Sequence, residues 1–146
     1  MSTVNLTASS MVPSAGLDKA YLRKITVDFS ANNVLASDVV QLFSIPANTL
    51  VEYVAWRVTT AEGATCTATI GDGEDPDGYK PSGTINLNST SDKNFSGLLL
   101  TEATPNTVTA YTGGKLYSTA DTIDLVMGHD TNAAKIVVFA KCIDLS

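Results

Sequence analysis

The densest group of side chains able to do chemistry lies in Gly71-Asp72-Gly73-Glu74-Asp75-Pro76-Asp77-Gly78, where four carboxylates fall within eight residues. Calcium binds about six to eight hard oxygen donors at short range, and this is the one stretch rich in them. The spacing departs from an EF-hand: Pro76 stands where a ligand would alternate, and no glutamate closes the loop at the required distance. Asp and Gly are also the ordinary material of turns. The run is therefore read as a solvated turn, with no metal ligand assigned. Two carboxylate pairs, Asp121 with Asp124 and Glu102 with Asp92, have the residue types that glycoside hydrolysis needs on opposite sides of a cleft. Asp121-Thr122-Ile123-Asp124 reads more simply as a turn acid opening a strand, with Asp124 on its outer face opposite Ile123 and Leu125. Tyr79, Tyr111 and Tyr117 lie in or near loops, where they could stack on sugars or fill a partner's pocket.

Nucleophilic and metal chemistry find little support elsewhere. The chain has one histidine, His129, in the polar turn Gly128-His129-Asp130-Thr131-Asn132, and two cysteines, Cys66 and Cys142. One imidazole cannot supply the two or three that hold a metal on many β-scaffolds. A disulfide framework is excluded by the count, and both thiols are expected to stay reduced. Cys66 alternates with threonines in Thr65-Cys66-Thr67-Ala68-Thr69-Ile70 and reads as a small apolar side chain of the core. No Gly-x-Ser-x-Gly elbow, phosphate-binding glycine loop or Cys-x-x-Cys pair occurs. No catalytic residue, cofactor or metal site is assigned, and the chain is not expected to be an enzyme.

The elements that would position these residues are strands. Threonine, valine and isoleucine fill 39 of 146 positions, and β-branched side chains favour extended backbone because χ1 is cramped in a helix. Ile25, Val27 and Phe29 alternate with Lys24, Thr26 and Asp28, as in a half-buried strand. Val39 to Ile45 is a short apolar run closed by Pro46-Ala47-Asn48. Val51 to Thr59 puts Val54, Trp56 and Val58 on one face, with Trp56 as the centre of the core, and Tyr53, Ala55 and Arg57 on a second face less polar than solvent demands. Thr65 to Ile70, Thr84 to Leu87, Gly97 to Leu100, Lys115 to Tyr117, Thr122 to Met127 and Lys135 to Ile143 complete nine strand candidates. The last is apolar on both sides, which places it either between layers or half-covered by another subunit. No amphipathic helical stretch is evident. The expected fold is all-β, an antiparallel two-sheet β-sandwich of about eight to nine strands over residues 19–146, preceded by an extended arm at residues 1–18.

Composition narrows the partners. With 44% apolar and 16% charged residues, a 146-residue chain fits one domain with a real core. A net charge of −6 argues against wrapping nucleic acid or docking on anionic lipid. No stretch approaches a membrane span, and MSTVNLTASSM lacks the features of an export signal, so synthesis and folding in a cytosol are expected.

Three segments taken together resemble small structural proteins of tailed-bacteriophage virions. They are Asp38-Val39-Val40-Gln41-Leu42-Phe43-Ser44-Ile45-Pro46-Ala47-Asn48-Thr49, then Ala68-Thr69-Ile70-Gly71-Asp72-Gly73, then Leu116-Tyr117-Ser118-Thr119-Ala120-Asp121-Thr122-Ile123-Asp124-Leu125 running to Val137-Val138-Phe139-Ala140-Lys141-Cys142. The resemblance implies a jelly-roll-like sandwich that acts as a capsid decoration, or cement, protein. Such a protein binds the major capsid protein on the outer surface of the virion, commonly as a homotrimer, and is assembled there in the host cytoplasm. It carries over no catalytic residues. An acidic domain suits the virion exterior, doubly apolar strands suit an oligomer, and the arm could lie along a neighbouring subunit. The alternative is a tail- or fibre-associated domain that binds a host-surface glycan through its loop tyrosines.

Overall fold

Ten strands are divided between two sheets in the computed structural model, which describes residues 1–7, 20–80, 83–95 and 114–146. They are β1 (Thr3–Asn5), β2 (Ala20–Asp28), β3 (Val39–Ile45), β4 (Thr49–Thr60), β5 (Thr67–Gly71), β6 (Ile85–Asn86), β7 (Lys93–Phe95), β8 (Lys115–Tyr117), β9 (Asp121–Met127) and β10 (Lys135–Asp144). The first sheet runs β1-β3-β9-β5-β6; the second runs β2-β10-β4-β7, with β8 also paired to β4. Consecutive strands β2 to β5 cross from sheet to sheet, and the late strands β9 and β10 insert between early ones. This is the jelly-roll order, in which sequence-distant strands become neighbours. Every pairing between described strands is antiparallel except β1 with β3, where Thr3–Asn5 lies parallel to Val39–Gln41. The candidate strand Gly97–Leu100 lies outside the described residues; β7 forms instead from Lys93–Phe95.

The period-2 pattern decides which side chains enter the core. On β10, Ile136, Val138, Ala140 and Cys142 are buried, and on β4 so are Val51, Val54, Trp56 and Val58. Trp56 keeps its indole N–H satisfied by donating to Asp92 Oδ1 at 3.0 Å. Leu42 and Phe43 are adjacent yet both fully buried. A shift in the β3–β9 register between Gln41 and Phe43 is what lets both enter. Asn48 turns the β3–β4 corner at φ 58°, a left-handed conformation that asparagine tolerates better than most residues.

Two charged residues are placed by this packing where their residue types alone would not put them. Arg23 shares the phase of Ile25 and Val27, so it points inward and is 1% exposed. Its guanidinium lies over the Phe43 ring at 5.2 Å and donates to the Ser44 carbonyl, and burial lowers its pKa. Glu62, after β4, accepts the backbone N–H groups of Asn132, Ala133 and Ala134 at 2.7–2.9 Å and so ties the entry to β10. Burial works against its ionised form, but the three N–H donors overcome that and hold its pKa below the ordinary value. Glu62→Ala is expected to lower stability by about 1–2 kcal/mol at neutral pH. A depressed carboxylate stabilises above its unfolded pKa and loses that contribution as pH falls through the folded value. The gap from wild type in chemical denaturation should therefore close toward acid pH.

Candidate functional site

The acidic turn after β5 is organised around one buried carboxylate. Gly71 is required where the chain doubles back: a Cβ there would stand 2.0 Å from the Asp75 carbonyl oxygen and 2.5 Å from the Pro76 carbonyl carbon. Asp72, 2% exposed, accepts the N–H groups of Glu74 and Asp75 on Oδ1, each at 3.0 Å. Its Oδ2 accepts Lys115 Nζ at 2.6 Å and the Tyr117 hydroxyl at 2.7 Å. With the Tyr117 proton committed to Asp72, the Tyr79 hydroxyl donates to Tyr117 at 2.8 Å. Burial, then the neighbouring Tyr79 and Asp72, push the Tyr117 pKa far above its ordinary value, so the phenol stays protonated. Lys115 also reaches the exposed Glu74 at 3.1 Å. The turn is thus stitched to β8, and the protein's own donors occupy Asp72's oxygens. Among the described residues no three His, Cys, Asp or Glu side chains converge as a metal would need.

This arrangement corrects two expectations. Tyr79 and Tyr117 are 1% and 3% exposed; they are hydrogen-bonded core residues under the turn and offer no face for a sugar or a partner. Tyr111 lies outside the described residues. Asp124 does alternate with Ile123 and Leu125, but it is buried at 7% exposure, flanked across the sheet by Gln41 and Gly71. Its Oδ1 has no hydrogen-bond partner among the described residues. Burial foremost, with the charges of Asp121 and Asp72 added, raises its pKa to about 6, while a hydrogen bond from Thr122 works the other way. Asp121 accepts the Thr122 N–H at 2.8 Å. The proximity of Asp121, Asp124 and Asp72 arises from sheet register and could not be read from spacing.

The remaining sequence candidates lie apart. His129 is exposed, with Nδ1 3.3 Å from Thr67 Oγ1. Cys66 is fully buried with Sγ 2.9 Å from Thr131 Oγ1, and Cys142 is buried with its pKa pushed up to about 11 by burial. Both thiols are free. Asp92 is spent on Trp56 and on the Asn86 N–H; Glu102, its suggested partner, is outside the described residues.

A different feature is built by the outward side chains of the second sheet. Register aligns Ala20, Ile143, Leu50 and Leu116 in one row across β2, β10, β4 and β8. The next rows are Leu22, Lys141 and Tyr53, then Lys24, Phe139 and Ala55, then Thr26, Val137, Arg57 and Lys93. Leu22 and Leu116 are 58% and 55% exposed. Cations gather here too: among the described residues Lys24, Arg57, Lys93, Lys135 and Lys141 face only Asp28 and Glu52, which pair with Lys135 and Lys141. That is a surplus of three positive charges on a chain of net −6, so the rest of the molecule carries a surplus of nine acids. Alternation on β10 and the half-apolar second face of β4 are the sequence signals for this surface.

No family model matches the chain, and no curated protein matches its sequence. Solved structures do match its fold. A chain of the capsid of Ralstonia phage GP4 superposes with a TM-score of 0.62 at 10% identity, covering 99% of each chain. A chain of the acidic stable capsid structure of Helicobacter pylori bacteriophage KHP30 matches with a TM-score of 0.58 at 15% identity, over 87% of this chain and 89% of that one. A chain of the capsid asymmetric unit of cyanophage Pam1 gives 0.57 at 15% identity, over 92% and 91%. The fold is thus shared nearly end to end with chains of three phage capsids.

Proposed function

We propose that this chain is a structural, non-enzymatic component of a bacteriophage capsid, bound to the outer surface of the assembled shell as a decoration protein, as a homotrimer seated on the major capsid protein. The observation that carries this reading is the end-to-end match to a chain of the Ralstonia phage GP4 capsid, 99% of both chains at a TM-score of 0.62. Two further observations support it. The polar clusters around Asp72 and Glu62 are hydrogen-bonded into the fold, as suits a rigid building block, and the outward face of the second sheet carries exposed Leu22 and Leu116 among its cations. Burial of Tyr79 and Tyr117 removes two of the three aromatics on which a glycan-binding tail domain would rely.

Such a protein works by mass action. Binding the assembled shell in preference to free subunits stabilises each occupied site by RT ln(1+[L]/Kd), about 2.7 kcal/mol at a hundredfold excess over Kd. The test is addition of purified chain to shells assembled without it, followed by sedimentation and reconstruction. Density at regular positions on the outer surface, with a raised temperature of shell disruption, is the expected result. Absence of binding to shells, or density confined to the tail, overturns it.

A further inference from the structure

The outward face of the second sheet has the chemistry of a protein interface. Three strands about 4.8 Å apart, β2, β10 and β4, over four rows spanning seven residues at about 3.4 Å, make an area of about 350 Å², which the short β7 and β8 extend at its two ends. A specific complex buries roughly 800 Å² per partner, so this face would be the centre of such a contact. Aromatic side chains and arginine are the residues enriched at interface centres, and Tyr53 and Phe139 stand in the two middle rows, with Arg57 in the row next to that of Phe139. The face is bordered by β2, a nine-residue strand that pairs on its other side with no described strand.

From these observations we infer that this face is the self-association surface of the chain, seating an acidic surface of a second copy in a head-to-tail contact. The inference rests on the reading that the chain is an oligomer and adds where the copies meet. Charge selects the occupant. Lys24, Arg57 and Lys93 have no carboxylate within ion-pair distance among the described residues, and the remainder of the same molecule carries the nine-acid surplus, so the complementary charge is present on every copy. A face-to-face dimer would set these cations against each other. A face-to-acid contact is heterologous, the type that generates a ring when its rotation closes, and opposite charges draw it together.

Sedimentation velocity on the full chain, across concentration and salt, tests this. Wild type is expected to associate, more weakly as salt rises. Leu116→Lys and Arg57→Glu should each weaken association by at least about tenfold. Leu116 and Arg57 are exposed, so the variants should fold, which circular dichroism and an unchanged melting temperature verify. Association that survives both face variants overturns the surface while leaving the oligomer standing. A response to Leu116→Lys but neither to Arg57→Glu nor to salt overturns the acidic counter-surface. A wild type monomeric at every concentration overturns both; if that monomer still binds shells, the capsid reading stands alone.

Discussion

Lys115→Met is expected to destabilise the fold by about 3–5 kcal/mol, because it strands a buried carboxylate. The Asp72 side chain is fully shielded from solvent and Lys115 is the cation that neutralises it, at 2.6 Å with its own side chain only 15% exposed. Removing one partner of a buried pair leaves an uncompensated charge, and that penalty exceeds what the pair itself contributes. Methionine keeps the length of the lysine stem, so packing against the Tyr117 ring is largely retained and the loss reports charge. The double variant Asp72→Asn with Lys115→Met should recover most of the stability. Glu74→Gln should change it little, since Glu74 is exposed and its pairing with Lys115 is a surface one. Chemical denaturation measures all three; a Lys115→Met protein within about 0.5 kcal/mol of wild type would mean that Asp72 is held by hydrogen bonds alone.

Asp124→Asn should do the opposite and stabilise. In the folded chain the Asp124 pKa stands at about 6 against an ordinary 3.8. Between those values the folded state holds a proton that the unfolded chain has released, so stability falls as pH rises through the window and levels off above it. The shift corresponds to about 3 kcal/mol, the cost of ionising a carboxyl with Asp121 and Asp72 nearby and no partner for Oδ1. Asparagine keeps the shape and removes the charge. The variant is expected to exceed wild type by about 3 kcal/mol at pH 8, with the difference vanishing near pH 3.5. Glu62 bends the wild-type curve the other way, so the quantity to follow is the difference between the two proteins. A difference constant with pH would show that Asp124 ionises normally in the fold.

Both expectations fit a protein whose polar groups serve the scaffold. The Asp72 hub holds a turn against β8, Glu62 secures the entry to β10, and the tyrosines that could have formed a binding platform form the hydrogen-bonded floor of that turn. What the molecule offers outward is a sheet face in which apolar rows and lysines alternate.

Much of this was legible from residue types. The alternation of Ile25, Val27 and Phe29 located β2, the apolar run Val39–Ile45 located β3, and Pro46-Ala47-Asn48 located the corner after it. The doubly apolar pattern of the last strand pointed either to a place between layers or to cover from another subunit, and β10 lies in the middle of its sheet between β2 and β4 with Val137 and Phe139 half-buried on the outward side. Arg23 escaped notice because a long basic side chain is assigned to solvent by type, although its phase on β2 put it inside. Asp124 was placed on the correct side of its strand but wrongly taken as exposed, since alternation fixes the side of a sheet and not what lies over it.

By itself, then, the chain's β-branched composition and period-2 patterning determined that it would form paired strands with a hydrophobic interior, and its single histidine and two isolated cysteines determined that metal and nucleophilic chemistry would be poorly supported. Only the tertiary structure decided that Asp72, Lys115, Tyr117 and Tyr79 meet, that Asp124 is buried near two other acids, and that Ala20, Ile143, Leu50 and Leu116 form one outward row. The reason is physical: strand formation follows from local sterics and a local period, whereas these neighbours come from strands far apart in the chain, brought together by a jelly-roll order and by register shifts that no local pattern encodes.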